Sequence, residues 1–216
     1  MLYELSPEEI ETIATFDKLA NFWSENEGGL TSDEDNFWYD WWRQDIPEQG
    51  RVLDLGCSTG REANLVLSEG LYYVGTDLSE EMLTIAKRKF AEQVSAGRVE
   101  FLCMNMCELE FPPESFDAFR ACDSFKHIPK ANLPIALREA YRVLKTNGVG
   151  FIATCEGTFN DMYMFRSGEP DGGRVLFVEY TKEELEDVLK SIGFNVIWIA
   201  HYARMLLCIV QKSPSM

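Results

Sequence analysis

The chain has no apolar run approaching the roughly 18 residues that cross a bilayer, and its opening stretch, MLYELSPEEIE, is acidic where a secretion signal is basic and then apolar. A cytoplasmic protein with no membrane partner is the expectation. Basic charge is scarce: 20 Lys and Arg stand against 36 Asp and Glu, a formal charge of −16. Such a surface repels a phosphate backbone, so nucleic acid is not an expected partner. Ligands for metal are few as well. There are two histidines, and the six cysteines (Cys57, Cys103, Cys107, Cys122, Cys155 and Cys208) are scattered, four of them within apolar runs. Cys103 and Cys107 have no second Cys or His pair to complete a zinc site, so reduced thiols and no metal are expected. Low-complexity segments and internal repeats are also missing.

What is present suits one ordinary domain: 216 residues, 46% hydrophobic and 26% charged, enough to bury a core without staples. Residues 1–48 read as a helical cap. Ser6-Pro7-Glu8-Glu9 is a capping box with proline at the first helical position, and Ile10, Ile13, Phe16, Ala20 and Trp23 follow near helical spacing. Gly28-Gly29 breaks that helix, and Ser32 caps a second one carrying Phe37, Trp38, Trp41 and Trp42 up to Ile46-Pro47. The aromatic cluster Phe37–Trp42 has two readings: a helix packing its rings on the main domain, or a lid around a substrate, with Glu34 and Asp40 suited to a cationic amine.

Residues 49–216 follow a different rhythm. Short apolar runs at 51–55, 71–76, 99–104, 116–122 and 148–155 alternate with amphipathic helices near 60–69, 79–95 and 130–145. With right-handed crossovers this gives a doubly wound parallel sheet. Thr181 and Glu184 form a capping box for helix 181–191, Gly193 ends it, and the runs 194–201 and 203–211 are too close together to be anything but antiparallel. The expected fold is α/β: a doubly wound, mostly parallel, seven-stranded Rossmann-like sheet finished by an antiparallel hairpin, whereas a dinucleotide dehydrogenase would add a sixth parallel strand. The stretch 156–180 is long, glycine-bearing and aromatic, and is expected to cover the site.

The chemistry concentrates where the first strand ends. In RVLDLGCSTGREA the turn residues Gly56, Ser58 and Gly60 open the next helix, and in VGTDLS the carboxylate of Asp77 ends the second strand about twenty residues later. Together they predict an adenosine-containing cofactor whose ribose hydroxyls donate to Asp77.

VLDLGCSTG, GTDLSEEML and FDAFRACDSFKHI, in that order and followed by LREAYRVLKTNGVGFIAT and TKEELEDVLKSIGFNVI, resemble the class I S-adenosylmethionine-dependent methyltransferases over roughly residues 50–211. The absence of the close Gly-x-Gly-x-x-Gly series agrees, since that series accommodates a pyrophosphate and a sulfonium cofactor has none. The cofactor's methionyl end would pair with backbone around Gly56, Ser58 and Cys122. The resemblance implies that Asp54 orients the methionyl amine, Asp77 holds the ribose, Leu78 and Met82 pack on the adenine, and Asn105 and the Met106 N–H meet its edge. Asn105 stands where the family has an acidic residue. Ser58 stands where glycine is common, which is tolerable if its φ is negative. TFDKLANFW also resembles an amino-terminal segment of that family in which an aromatic closes over the cofactor, with Phe22 and Trp23 standing where Tyr and Asp are common.

An acceptor that must lose a proton benefits from a base. His127, after the fourth strand, is the candidate, with helix packing as its alternative role; Asp123 and Glu156 are rivals, and His201 is expected to be structural. An Asn-Pro-Pro-aromatic motif and a Pro-Cys nucleophile are both missing, which counts against several nucleic-acid methyltransferases. The expectation is methyl transfer to a small-molecule oxygen or nitrogen by a monomer or homodimer, the alternatives being a protein side chain as acceptor or a non-catalytic cofactor-binding module.

Overall fold

A computed structural model describes residues 3–26, 42–164 and 173–214. Ser32, Glu34 and the run Phe37–Trp41 lie outside them, so the two readings of the aromatic cluster do too.

Seven strands form one sheet: β1 (Arg51–Leu55), β2 (Tyr72–Asp77), β3 (Val99–Cys103), β4 (Phe116–Cys122), β5 (Leu144–Cys155), β8 (Phe194–Tyr202) and β9 (Met205–Lys212). Their order is β3-β2-β1-β4-β5-β9-β8. The first five are parallel, and β9 runs antiparallel to both β5 and β8. The fold class read from the sequence is therefore the observed one. Chain order reverses between β1 and β4, which opens a crevice at their carboxyl ends, the place where open α/β sheets bind ligands.

The central strands are buried on both faces, which is why they read as apolar runs. Leu53, Leu55, Phe119 and Ala121 pack against α5 (Leu133–Val143) and α6 (Lys182–Ile192) on one face. Val52, Tyr73 and Ala118 pack against α2 (Ala63–Ser68) and α3 (Glu80–Lys89) on the other, together with Trp42. The Thr181 capping box forms as expected, with Gly193 in the left-handed conformation ending α6.

Four boundaries differ from the sequence reading. Helix 79–95 is two pieces, α3 and α4 (Ala91–Ser95), because Phe90 leaves helical geometry to bury its ring against Phe101. Helix 60–69 starts only at Ala63, the preceding residues forming turns. The third helix is shorter than 130–145, and β5 begins at Leu144, which pairs with Phe116. The stretch 156–180 is more than a loop: β6 (Asn160–Met164) and β7 (Arg174–Val178) make a separate antiparallel sheet.

The apolar stripe expected on α1 (Pro7–Asn26) is buried only in part: Ala20, with Phe16 and Trp23 beside it, packs on Met82 and Ile85 of α3. Ile10 is 55% exposed, while Glu9, Thr12 and Thr15 are each 5% exposed or less. The two threonines dock on the edge of β7: Thr15 Oγ1 donates to the Arg174 carbonyl at 2.8 Å, and Thr12 Oγ1 accepts from the Leu176 N–H at 2.8 Å. A free strand edge exposes unpaired backbone groups, and the helix hydroxyls satisfy them.

Candidate functional site

The crevice is a cavity of about 290 Å³, close to the smallest of the clefts that hold metabolite-sized ligands. Its floor is the carboxyl ends of β1, β2 and β4, and α1 and β7 supply its outer wall through Phe16, Trp23, Val175 and Phe177.

The turn after β1 is fixed by β2, since the N–H groups of Gly56 and Cys57 both donate to the Thr76 carbonyl at 2.8 and 2.9 Å. Gly56 has φ +75°, and a Cβ there would come within 2.4 Å of the Ser124 Cβ, so only glycine lets the β1 and β4 turns close together. Ser58 corrects the sequence reading: its φ is +53°, not negative. Its N–H donates to Asp77 Oδ2 at 2.8 Å and its hydroxyl lies 3.3 Å from the Met82 sulfur, contacts that hold the strained conformation. Asp123 also has a positive φ, +60°, so both non-glycine left-handed residues of the site flank the crevice.

Asp77 faces the cavity with each carboxylate oxygen already accepting one backbone bond, from Ser58 and from Ser79 at 2.9 Å. Burial raises its pKa and those N–H donors oppose the rise. Each oxygen keeps a further lone pair for a ligand hydroxyl. Asp54 is 3% exposed, and its Oδ2 accepts from the Tyr73 hydroxyl at 2.6 Å. Burial raises its pKa, with Arg120 and Tyr73 opposing.

Asp54, Gly56, Ser58, Asp77, Leu78, Met82, Asn105, Met106, Cys122 and His127 all line this one cavity. Gly60 does not; it lies against Phe101 and Phe90, where a Cβ would come within 2.8 Å of the Phe101 ring. Of the three aromatics in TFDKLANFW, Phe16 and Trp23 line the cavity and Phe22 does not. Asn105 Oδ1 already accepts from the Cys107 N–H at 2.8 Å, an Asx turn that fixes its orientation. Glu156 is bonded to His201 Nδ1 at 2.7 Å and lies outside the cavity lining.

His127 is tied by Nδ1 to the Leu176 carbonyl at 2.8 Å, with the Phe16 ring edge-on at 5.0 Å. A carbonyl only accepts, so Nδ1 carries the proton and Nε2 keeps its lone pair. Burial, and then Lys126, pull its pKa down to about 4, so the ring is neutral at physiological pH.

Several lining groups escaped the sequence reading. Ser124 is 7% exposed and its hydroxyl has no hydrogen-bond partner among the described residues. Arg61, Glu62 and Thr12 also face the cavity. Their signal was only position, at the turns that follow β1 and β4 and on the first helix.

These residues fit an adenosylmethionine ligand. The cradle needs glycine at 56, an orphaned Ser124 hydroxyl suits a carboxylate, Asp77 suits a diol, and Leu78 and Met82 give an apolar wall for a purine.

Residues 52–148 match the family described as methyltransferase domain. The chain is 36% identical over 114 residues to the putative methyltransferase YqeM of Bacillus subtilis (strain 168), covering 52% of this chain and 45% of that protein. It is 30% identical over 169 residues to the ubiquinone/menaquinone biosynthesis C-methyltransferase UbiE of Rickettsia prowazekii, covering 72% and 66%. The alignments thus span about half to two thirds of these relatives. A solved structure of the 1,6-didemethyltoxoflavin-N1-methyltransferase of Burkholderia thailandensis, with 1,6-didemethyltoxoflavin and S-adenosylhomocysteine bound, superposes with a TM-score of 0.71 at 18% identity, covering 99% of this chain and 93% of that one. With the strand order, the ordered motifs and these matches in agreement, the chain belongs to the class I S-adenosylmethionine-dependent methyltransferase family.

Proposed function

We propose that the protein transfers a methyl group from S-adenosylmethionine to an oxygen or nitrogen of a small, uncharged acceptor. The observation that carries this reading is the single cavity that has Asp54, Ser58 and Asp77 on its floor and the neutral, Nδ1-anchored His127 toward its outer wall. In this reading Asp77 accepts from the ribose hydroxyls, and Leu78 and Met82 pack on the adenine. Asn105 and the Met106 N–H meet the purine edge. Asp54 faces the methionyl ammonium, while Ser124 and the backbone near Gly56 and Cys122 face its carboxylate.

When bound, the cofactor supplies an electrophilic methyl on a sulfonium sulfur, and the displacement is in-line. The protein's tasks are then alignment and exclusion of water. His127 Nε2 accepts a hydrogen bond from the acceptor's O–H or N–H and so aims its lone pair. An imidazole with a pKa of about 4 is a weak base toward an alcohol. It suffices for a proton that turns strongly acidic as its oxygen or nitrogen gains the methyl, so proton loss accompanies or follows transfer.

An uncharged acceptor is favoured because the charged groups on that side are engaged. Lys126 is paired with Asp123 at 2.7 Å, and Glu9 accepts from the Tyr3 hydroxyl and the Ser6 N–H. The walls between them are apolar, with Ile13, Phe16, Val175 and Phe177.

The test is calorimetric titration with S-adenosylhomocysteine. Wild type should bind it, and Asp77→Ala, which removes two hydrogen bonds to a charged acceptor, should lose about 2–4 kcal/mol, roughly 30- to 1000-fold in affinity. Absence of binding by wild type overturns the reading; unchanged affinity in Asp77→Ala overturns the ribose assignment. Methyl transfer to a panel of uncharged hydroxyl and amine compounds then finds the acceptor.

A further inference from the structure

A guanidinium lies buried beneath the cofactor crevice. Arg120 is 1% exposed in the middle of β4, where its neighbours along the strand, Phe119 and Ala121, are apolar. Its Cα is in register with that of Asp54 on the adjacent β1. The side chain runs between two cavity-lining carboxylates: Nε is 3.6 Å from Asp54 Oδ1 and Nη1 is 3.5 Å from Glu62 Oε2. Among the described residues its one side-chain hydrogen bond is from Nη2 to the Cys122 sulfur at 3.0 Å, and Nε and Nη1 have no hydrogen-bond partner. The outer oxygens are held as well, since Asp54 Oδ2 accepts from Tyr73 and Glu62 Oε1 accepts from Arg61 Nε at 2.8 Å.

An arginine in this place is costly. A buried charge needs full pairing to offset its desolvation, and a hydrophobic residue of similar volume is often as stable or more so. Simple fold stability therefore does not account for it. Nor do two carboxylates in one buried site both stay ionised unaided, because each raises the other's affinity for a proton. Among the described residues the ion pairs to both run from Arg120, and a planar fork with several donors can bridge them where a single ammonium cannot.

We propose that Arg120 is a positioning residue for the cofactor: it clamps Asp54 and Glu62 as a fixed pair of acceptors at the crevice floor, aimed at the methionyl ammonium. The inference rests on the adenosylmethionine reading of the site. It assigns Glu62 as the second acceptor, beside Asp54, and Tyr73 and Arg61 as its outer supports. Arg120 itself touches neither the adenosine part of the ligand nor the acceptor.

The test compares two ligands on the folded protein by calorimetry. S-adenosylhomocysteine carries the amino-acid end, whereas 5′-methylthioadenosine keeps the adenosine and sulfur and lacks the ammonium. Arg120→Met should weaken S-adenosylhomocysteine by about tenfold or more and leave methylthioadenosine at wild-type affinity. Arg120→Lys, which keeps the charge but not the fork, should recover part of the loss. If Arg120→Met does not fold, Tyr73→Phe and Glu62→Gln replace it, each expected to lower affinity a few-fold for S-adenosylhomocysteine alone. Equal weakening of both ligands would make the arginine merely structural, and an unchanged or tighter S-adenosylhomocysteine complex would also overturn the proposal. Failure of wild type to bind either ligand would instead sink the cofactor reading beneath it.

Discussion

At the scale of single residues, the site is built by backbone geometry as much as by side-chain chemistry. Ser58 holds φ +53°, a conformation that costs an L-residue about 1–2 kcal/mol relative to glycine. What it contributes to the turn is its N–H to Asp77, which glycine would also supply. Replacing serine with glycine relieves the strain but loosens the unfolded chain by about 0.5–1 kcal/mol and removes the contact with the Met82 sulfur. The balance favours the variant. Ser58→Gly is expected to raise stability by up to about 1 kcal/mol, roughly 2–4 °C in thermal midpoint for a chain of this size. A midpoint lower than wild type by calorimetric melting would mean that the serine hydroxyl contributes more than its strained backbone costs. The glycines divide the same way: Gly56 is required where two turns meet over the crevice, and Gly60 where the turn before α2 packs on Phe101.

At the scale of elements, α1 and the β6–β7 hairpin form one unit over the site, joined by side chain to backbone bonds. Thr12 is its pivot: the hydroxyl donates to the Glu8 carbonyl at 2.7 Å and accepts from Leu176, whose carbonyl holds His127. Thr12→Val keeps the shape and leaves the buried Leu176 N–H without a partner, a loss of about 1–3 kcal/mol. The expected outcome is a thermal midpoint lower by roughly 2–12 °C, read by melting, with weaker acceptor binding and cofactor affinity little changed. The threonine docking was not legible in the sequence, because a threonine that serves a strand edge looks like any polar residue on a helix, whereas the apolar stripe did mark Phe16, Ala20 and Trp23, which pack on α3. The hairpin was hidden too: its strands are five residues each and sit among glycines and charges that read as loop. What was legible followed regular periods, namely the parallel strands, the Thr181 capping box and the β1 and β2 ends that bring Gly56 and Asp77 together. Arg120 and Ser124 were missed because their meaning comes from neighbours distant in sequence, Asp54 and Glu62 for one and Gly56 for the other.

At the scale of the whole molecule, pH acts through two opposed effects, and the contribution of His127 can be separated from the rest. The formal charge of −16 means that lowering pH from neutrality reduces self-repulsion, which favours the folded state. His127 works the other way. Its folded pKa is lowered to about 4 against an ordinary value near 6.5, so in that window the unfolded chain binds a proton that the native ring refuses. Stability from this residue is complete above about pH 6.5 and is lost as pH falls toward about 4. Between about pH 7 and pH 5 the loss is of the order of 1–2 kcal/mol. A glutamine at 127 has an amide N–H able to serve the Leu176 carbonyl but no titration in this range. Denaturant midpoints measured at both pH values should therefore show wild type losing about 1–2 kcal/mol more than His127→Gln on acidification, with the background of the other charges cancelling in the difference. Parallel pH dependence in the two proteins would mean that the ring takes up its proton in the native state as readily as in solution. The neutral Nε2 acceptor on which the proposed proton transfer depends would then be absent on the acid side of neutrality.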